Sequence, residues 1–232
     1  KRNEVAAAAR QAVERFGRID TWVNNAGISI FGRLDQTTEE DARRLFDTNF
    51  WGVVNGCVVA LTRMRMNATG GGIINVGSEV SEAVIPLQAM YSASKHAVKG
   101  YNDGLRVELE EVDDSRIAVT LIQPTAVDTP FPQHARNYMD REAKLPTPMI
   151  EPEQVAQAIL DAAVNPTRAR KVGMMSMVNT NIAKLAPSLG DKLAAKQVDR
   201  QQGDGPPLHR DGALYQPSYT TGFVGHTHGR GA

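Results

Sequence analysis

Cysteine is nearly absent from this chain: 232 residues contain one, Cys57. A single thiol excludes an intrachain disulfide framework and a cysteine-built zinc site. Cys57 lies in the apolar run Val53-Val54-Asn55-Gly56-Cys57-Val58-Val59, so it reads as a small core residue. Charge of neither sign is in excess. Lysine plus arginine number 26, aspartate plus glutamate 26, and no basic stripe stands out, which argues against nucleic acid as a partner. No apolar run approaches the ~18 residues of a membrane span, and no signal-peptide pattern is visible. We therefore expect a cytoplasmic protein, with peripheral membrane contact left open. The composition that remains, 41% hydrophobic and 22% charged, suits one sizeable globular domain.

Helical and extended patterns alternate along the chain. Val5, Ala8, Ala9, Ala12, Val13 and Phe16 recur at helical spacing, and Gly17 is a natural stop. Ile19 to Asn24 reads as a strand. Thr38 reads as an N-cap, with Glu39, Glu40 and Asp41 in the first turn of a helix running to about Met66. The Gly70-Gly71-Gly72 turn leads into a strand over 73–76, a helix follows over 90–112, and a strand over 117–122 is ended by Pro124. A proline-rich loop is expected over 124–150, then a helix opened by Pro152, a short strand near Lys171 to Gly173, and a helix over 176–199. Strands alternating with helices predict an α/β fold of doubly wound, Rossmann-like type, with a parallel sheet covered on both faces. Residues 1–200 are assigned to this domain. The Gly-, Pro- and His-rich stretch 201–232 is expected to be an irregular or flexible tail.

The chemistry concentrates where such sheets bind ligands, at the carboxyl ends of the strands. Tyr91 and Lys95 stand four apart in Tyr91-Ser92-Ala93-Ser94-Lys95, and Ser78 precedes the tyrosine by thirteen. Residues i and i+4 of a helix share a face, so a phenol and an ammonium can enter one site. A nearby cation favours the phenolate, which predicts a lowered pKa for Tyr91. His226-Thr227-His228 has no further ligands near it in the chain, and no metal site is expected.

These residues resemble the short-chain dehydrogenase/reductase family over roughly 1–175. The family's Asn-Asn-Ala-Gly motif matches Asn24-Asn25-Ala26-Gly27, and its helix asparagine matches Asn49. Its strand-end serine matches Ser78, and its Tyr-x-x-x-Lys matches Tyr91 and Lys95. Its Pro-Gly-x-Val-x-Thr segment appears as Pro124-Thr125-Ala126-Val127-Asp128-Thr129, with Thr125 where the family has glycine. The resemblance implies an oxidoreductase that moves hydride between NAD or NADP and a small secondary alcohol or ketone. It implies a catalytic set of Asn49, Ser78, Tyr91 and Lys95, with Tyr91 exchanging the proton and Asn49 holding a water that links Lys95 to solvent. It implies cofactor contacts from Asn24, Ala26, Gly27, Tyr91, Lys95, Pro124, Val127 and Thr129. It also implies a homodimer or homotetramer, built on the helices around 39–66 and 90–112.

The resemblance carries a further expectation. The family's glycine-rich turn, which cradles the cofactor pyrophosphate, belongs before the helix with which this chain opens. Two βαβ units of roughly 30 residues each would supply it, so the first strands are expected to lie outside this chain. The strand around Val23 then has an unpaired edge, and these residues alone are expected to bind dinucleotide poorly and to associate. Two other readings remain at this point: an epimerase or dehydratase using the same tyrosine and lysine, and a non-catalytic scaffold or dimerisation module.

Overall fold

The computed structural model describes residues 1–217. Helix α1 (Arg2–Phe16) stops at Gly17, whose φ of 84° lies in the left-handed region that favours glycine. Strand β1 (Thr21–Asn24) and the two-residue strand β2 (Ile30–Phe31) follow. Thr38 caps α2 (Glu39–Phe46) by accepting a hydrogen bond from the Asp41 backbone N–H at 3.2 Å. The single helix expected to run on to Met66 is interrupted. A π turn at Asp47–Trp51 separates α2 from α3 (Gly52–Met64), and Asn49 sits inside it.

Strand β3 (Gly71–Val76) leads through a short turn at Glu79–Ser81 to α4 (Ala89–Val107), which closes in a second π turn, Glu108–Val112. Strand β4 (Ile117–Pro124) ends at the expected proline. The stretch expected as plain loop contains β5 (Arg136–Asn137), which pairs in parallel with β2. Then come α5 (Pro152–Val164), β6 (Ala169–Val172), α6 (Met174–Leu185) and α7 (Pro187–Ala195). The helix expected over 176–199 is thus two helices. Pro187 disfavours helical backbone at the residue before it, and Ala186 leaves the helix with φ −143°.

The main sheet has the order β1-β3-β4-β6, and every pairing is parallel. Neighbouring residues of one strand feed opposite cores. Ile73 packs with Cys57, Val98 and Val119 in the cluster that α1, α3 and α4 cover, while Ile74 joins Ile122, Ala162 and Val172 under α5. Each such side chain contributes about 1.5–3 kcal/mol by leaving water. Cys57 is buried and free, as its neighbours in sequence suggested. On its other edge β1 has no partner among the described residues, and Val23 is 40% exposed.

Regular structure ends after Gln201, yet the chain is anchored to the body as far on as Leu214 and Tyr215. Leu214 is 1% exposed, packed with Ile30 and Leu45, and the Tyr215 hydroxyl donates to the buried Asp41 carboxylate at 2.6 Å. Composition could not announce this docking, because the stretch has no periodicity. The His226-Thr227-His228 fragment lies outside the described residues. Among those described, no helix is long and apolar enough to cross a membrane.

One turn sets the entry to β3. Gly70 has φ 71°, and a Cβ there would stand 2.0 Å from the Arg116 carbonyl oxygen. We expect Gly70→Ala to destabilise the fold by about 2–4 kcal/mol through strain and overlap. Urea melts of the two proteins check this, and an unchanged midpoint would contradict it.

Candidate active site

Three strands deliver their carboxyl ends to one rim. Asn25 to Gly27 follow β1, Ser78 follows β3, and Thr125 to Thr129 follow β4. The first turns of α4 bring Tyr91 and Lys95 to the same place. Between them lies a cavity of about 730 Å³ whose walls include Ala26, Gly27, Ser78, Tyr91 and Lys95. Pro124, Val127 and Thr129 line it as well. A volume of that size suits a cofactor or drug-sized ligand.

Tyr91 and Ser78 both line the cavity, and the Ser78 hydroxyl is near enough to act on the Tyr91 phenol, so the two hydroxyls expected to hold one substrate oxygen stand together. The Ser78 hydroxyl oxygen also accepts from the Val80 backbone N–H at 3.3 Å, which fixes the loop after β3. The Phe131 ring, from the loop after β4, packs at a tilt against Tyr91 with centroids 5.7 Å apart. Lys95 is 4% exposed and donates from Nζ to the Val76 carbonyl at 2.8 Å. Its Nζ is 5.7 Å from the centre of the Tyr91 ring.

The electrostatics run opposite to the sequence expectation. Burial pushes the Tyr91 phenol up to about 12, against the pull of the Ser78 hydroxyl and with a further push from the Glu79 charge. Burial also pushes Lys95 down to about 8. Spacing places an ammonium near a phenol but says nothing of the water both lose, and desolvation dominates here. In the chain by itself Tyr91 is therefore held protonated.

Asn49 ties the loop after β1 to α4. It is fully buried; its Oδ1 accepts from the Ile28 backbone N–H at 2.9 Å, and its Nδ2 donates to the Ile28 carbonyl at 2.9 Å and to Ser94 Oγ at 3.0 Å. The side chain therefore clamps the loop after β1 onto α4. A Cβ added at Gly27 would stand 3.6 Å from both Asn49 Oδ1 and Lys95 Nζ, so this backbone runs close beside both. These bonds hold the Gly27 loop in place beside Lys95.

Asn24, expected to touch cofactor, turns inward. It accepts from Trp22 Nε1 at 2.8 Å and donates to Asn75 Oδ1 at 2.8 Å, and it is not among the residues that line the cavity. Gly56 leaves the room for it, since a Cβ there would fall 1.9 Å from Asn24 Oδ1. Its place on β1 opposite Asn75 explains the turn: a buried amide needs partners, and the facing strand supplies one.

Thr125, the departure from the family pattern, keeps the sheet running. Its N–H donates to the Val172 carbonyl at 3.0 Å, and its side chain lies beside Glu79 on the cavity wall. Sequence reasoning passed over Glu79 altogether. It lines the cavity directly after Ser78, and the only signal for it was that position at a strand end.

A parallel sheet covered by helices on both faces, with its site at the strand ends, defines a Rossmann-like fold. The chain belongs to the short chain dehydrogenase family, whose model matches residues 1–140. The uncharacterized oxidoreductase YxnA of Bacillus subtilis is 39% identical over 203 residues, which make up 87% of this chain and 57% of that protein. The 3-ketodihydrosphingosine reductase of Bacteroides thetaiotaomicron is 44% identical over 128 residues, 53% of this chain and 46% of that protein. The chain thus spans about half the length of these curated relatives. Among solved structures, a short chain dehydrogenase from Burkholderia cenocepacia in complex with NADP superposes with a TM-score of 0.66 at 26% identity, covering 85% of this chain and 75% of that one. An alcohol dehydrogenase from the archaeon Thermococcus sibiricus, complexed with 5-hydroxy-NADP, gives 0.61 at 25% identity, covering 74% and 69%.

The Lys95 shift has a sign that can be measured. The folded chain releases the lysine proton near 8 and the unfolded chain near 10.5, so between these values the unfolded state binds more protons and stability rises with pH. From about pH 7.5 to about pH 10 the wild type should gain about 2 kcal/mol relative to Lys95→Met. Paired urea melts at the two pH values give the difference, and parallel pH profiles would contradict it.

Proposed function

We propose that the protein is an oxidoreductase using NAD or NADP to interconvert a ketone and a secondary alcohol, with Tyr91 as the proton-transferring residue. The observation that carries this reading is the meeting of Tyr91 and Ser78 on one cavity wall, with the Lys95 ammonium buried beside them. The complexes of two solved neighbours with NADP and with 5-hydroxy-NADP support it.

The residues present fit the nicotinamide end of such a cofactor. Lys95 carries three N–H donors and gives one to Val76, which leaves donors at the cavity wall for ribose hydroxyls. Gly27 and Thr129 line the same wall. When bound, the nicotinamide supplies or accepts the hydride. Ser78 and Tyr91 bind the carbonyl oxygen and align it. In reduction Tyr91 gives its proton to the developing alkoxide, whose conjugate acid is about as weak as water at roughly 15.7. A phenol near 12 makes that transfer downhill. Lys95 is the cation that meets the phenolate left behind, and Asn49 holds the loop that packs over it. Phe131 keeps water from the tyrosine.

Two copies are proposed to pair through α4, which exposes the small residues Ala93, Gly100 and Gly104 along its outer side.

With the full-length protein, reduced cofactor should be consumed only when a ketone is added. Tyr91→Phe should lower kcat by at least about 100-fold while cofactor binding persists. Turnover that survives Tyr91→Phe unchanged would remove the tyrosine from the mechanism.

A further inference from the structure

We infer that Gln201 is a positioning residue for the reaction: it holds the strained turn before α4 and so sets where Tyr91 stands. This rests on the oxidoreductase reading and deepens it.

The turn spans residues 85–88. Ile85 and Gln88 line the cavity, and Tyr91 follows in the first turn of α4. Between them Leu87 has φ 66°, in the left-handed region that a leucine rarely adopts. Such a conformation persists only where its surroundings impose it. Two restraints come from nearby. The Gly32 N–H donates to the Leu87 carbonyl at 2.8 Å, and the Leu87 side chain packs against the cluster of Phe31, Ala135, Met139 and Ala143.

The third restraint arrives from the far end of the fold. Gln201 is 0% exposed and Gln88 3%. Gln201 Nε2 donates to the Pro86 carbonyl at 2.8 Å and, more weakly, to the Gln197 carbonyl at 3.4 Å. Carbonyls only accept, so the Gln201 NH2 must face them and its Oε1 must face Gln88. Gln88 Nε2 donates to that oxygen at 2.7 Å, which turns Gln88 Oε1 toward the Ser29 hydroxyl, its donor at 3.2 Å. One buried amide thus grips the turn on both sides of Leu87 and fixes the direction of every bond in the chain from Pro86 to Ser29. Gln201 does not itself line the cavity, so it acts through the turn. Nothing in the sequence announced this, because Gln201 opens the stretch that composition marks as a tail.

The test uses full-length protein and Gln201→Met, which keeps the length of the side chain and removes its hydrogen bonds. The variant should bind NADH or NADPH with the stoichiometry of the wild type, while kcat for ketone reduction falls at least about 20-fold because the proton donor is misplaced. Adding Leu87→Gly should restore kcat at least about fivefold, since glycine takes the left-handed region without strain. Gln88→Met breaks the same bond from the side of the turn and should show the same pattern, so a Gln201→Met that does not fold leaves the test standing. Unchanged kcat, a kcat that falls only in proportion to the fraction binding cofactor, or no recovery with Leu87→Gly would overturn the inference. A readout without turnover is the Tyr91 13Cζ resonance, which should move in Gln201→Met and return with Leu87→Gly. If it does so in a protein that reduces no ketone, the Gln201 role stands and the oxidoreductase reading is contradicted. A resonance that stays in place would overturn the inference.

Discussion

The site depends on keeping the Lys95 ammonium out of water. Moving a lysine from near 10.5 to near 8 corresponds to about 3 kcal/mol against the charged form. The fold bears this because the surroundings are fixed. Val76 offers its carbonyl from the end of β3, Gly27 passes alongside with no side chain, and Asn49 locks the Gly27 loop through paired bonds to Ile28. The π turn that presents Asn49 bonds Ser94, and the strand end that presents Val76 bonds Lys95, the next residue of α4. Loosening either would let water reach the ammonium and the tyrosine together.

Much of this architecture could be read from the residues. The strand ends were marked by β-branched runs stopping at Asn24, Val76 and Pro124, and helical periodicity placed Tyr91 and Lys95 on one turn of α4. What stayed hidden has physical causes. A π turn inserts one residue and shifts the phase of the apolar pattern, but across the five residues Asp47–Trp51 that single shift is too short to be told from ordinary scatter in the pattern. Strands β2 and β5 are two residues long and have no period. Asn24 lies on a motif associated with cofactor, yet its amide is claimed by Asn75 and Trp22. Most telling is the tyrosine. Proximity to a cation can be inferred from spacing, whereas the direction of its shift is decided by lost solvent, which only packing reveals.

The substrate side departs most from what the motifs describe. Thr125 in place of glycine lies beside Glu79 on the wall, and α6 brings Asn179 to that carboxylate. On the other flank the chain beyond Gln201 is anchored through Asp41, which takes hydrogen bonds from Tyr138 at 2.6 Å, Tyr215 at 2.6 Å and Arg136 at 3.1 Å. That one buried carboxylate holds α2, the β5 segment and the carboxyl-terminal stretch to each other. These carboxylates have unequal partners: Asp41 and Glu82 have cations, and Glu79 has none among the described residues.

The central claim is that burial, and not the neighbouring lysine, sets the protonation of Tyr91 in the chain by itself. Labelling tyrosine at 13Cζ and following the resonance absent from Tyr91→Phe reads that state directly. The claim predicts that Tyr91 is still a phenol at about pH 10, where an exposed tyrosine is half ionised. A Tyr91 resonance that titrates below about pH 9 would contradict it and restore Lys95 as the group that controls the tyrosine.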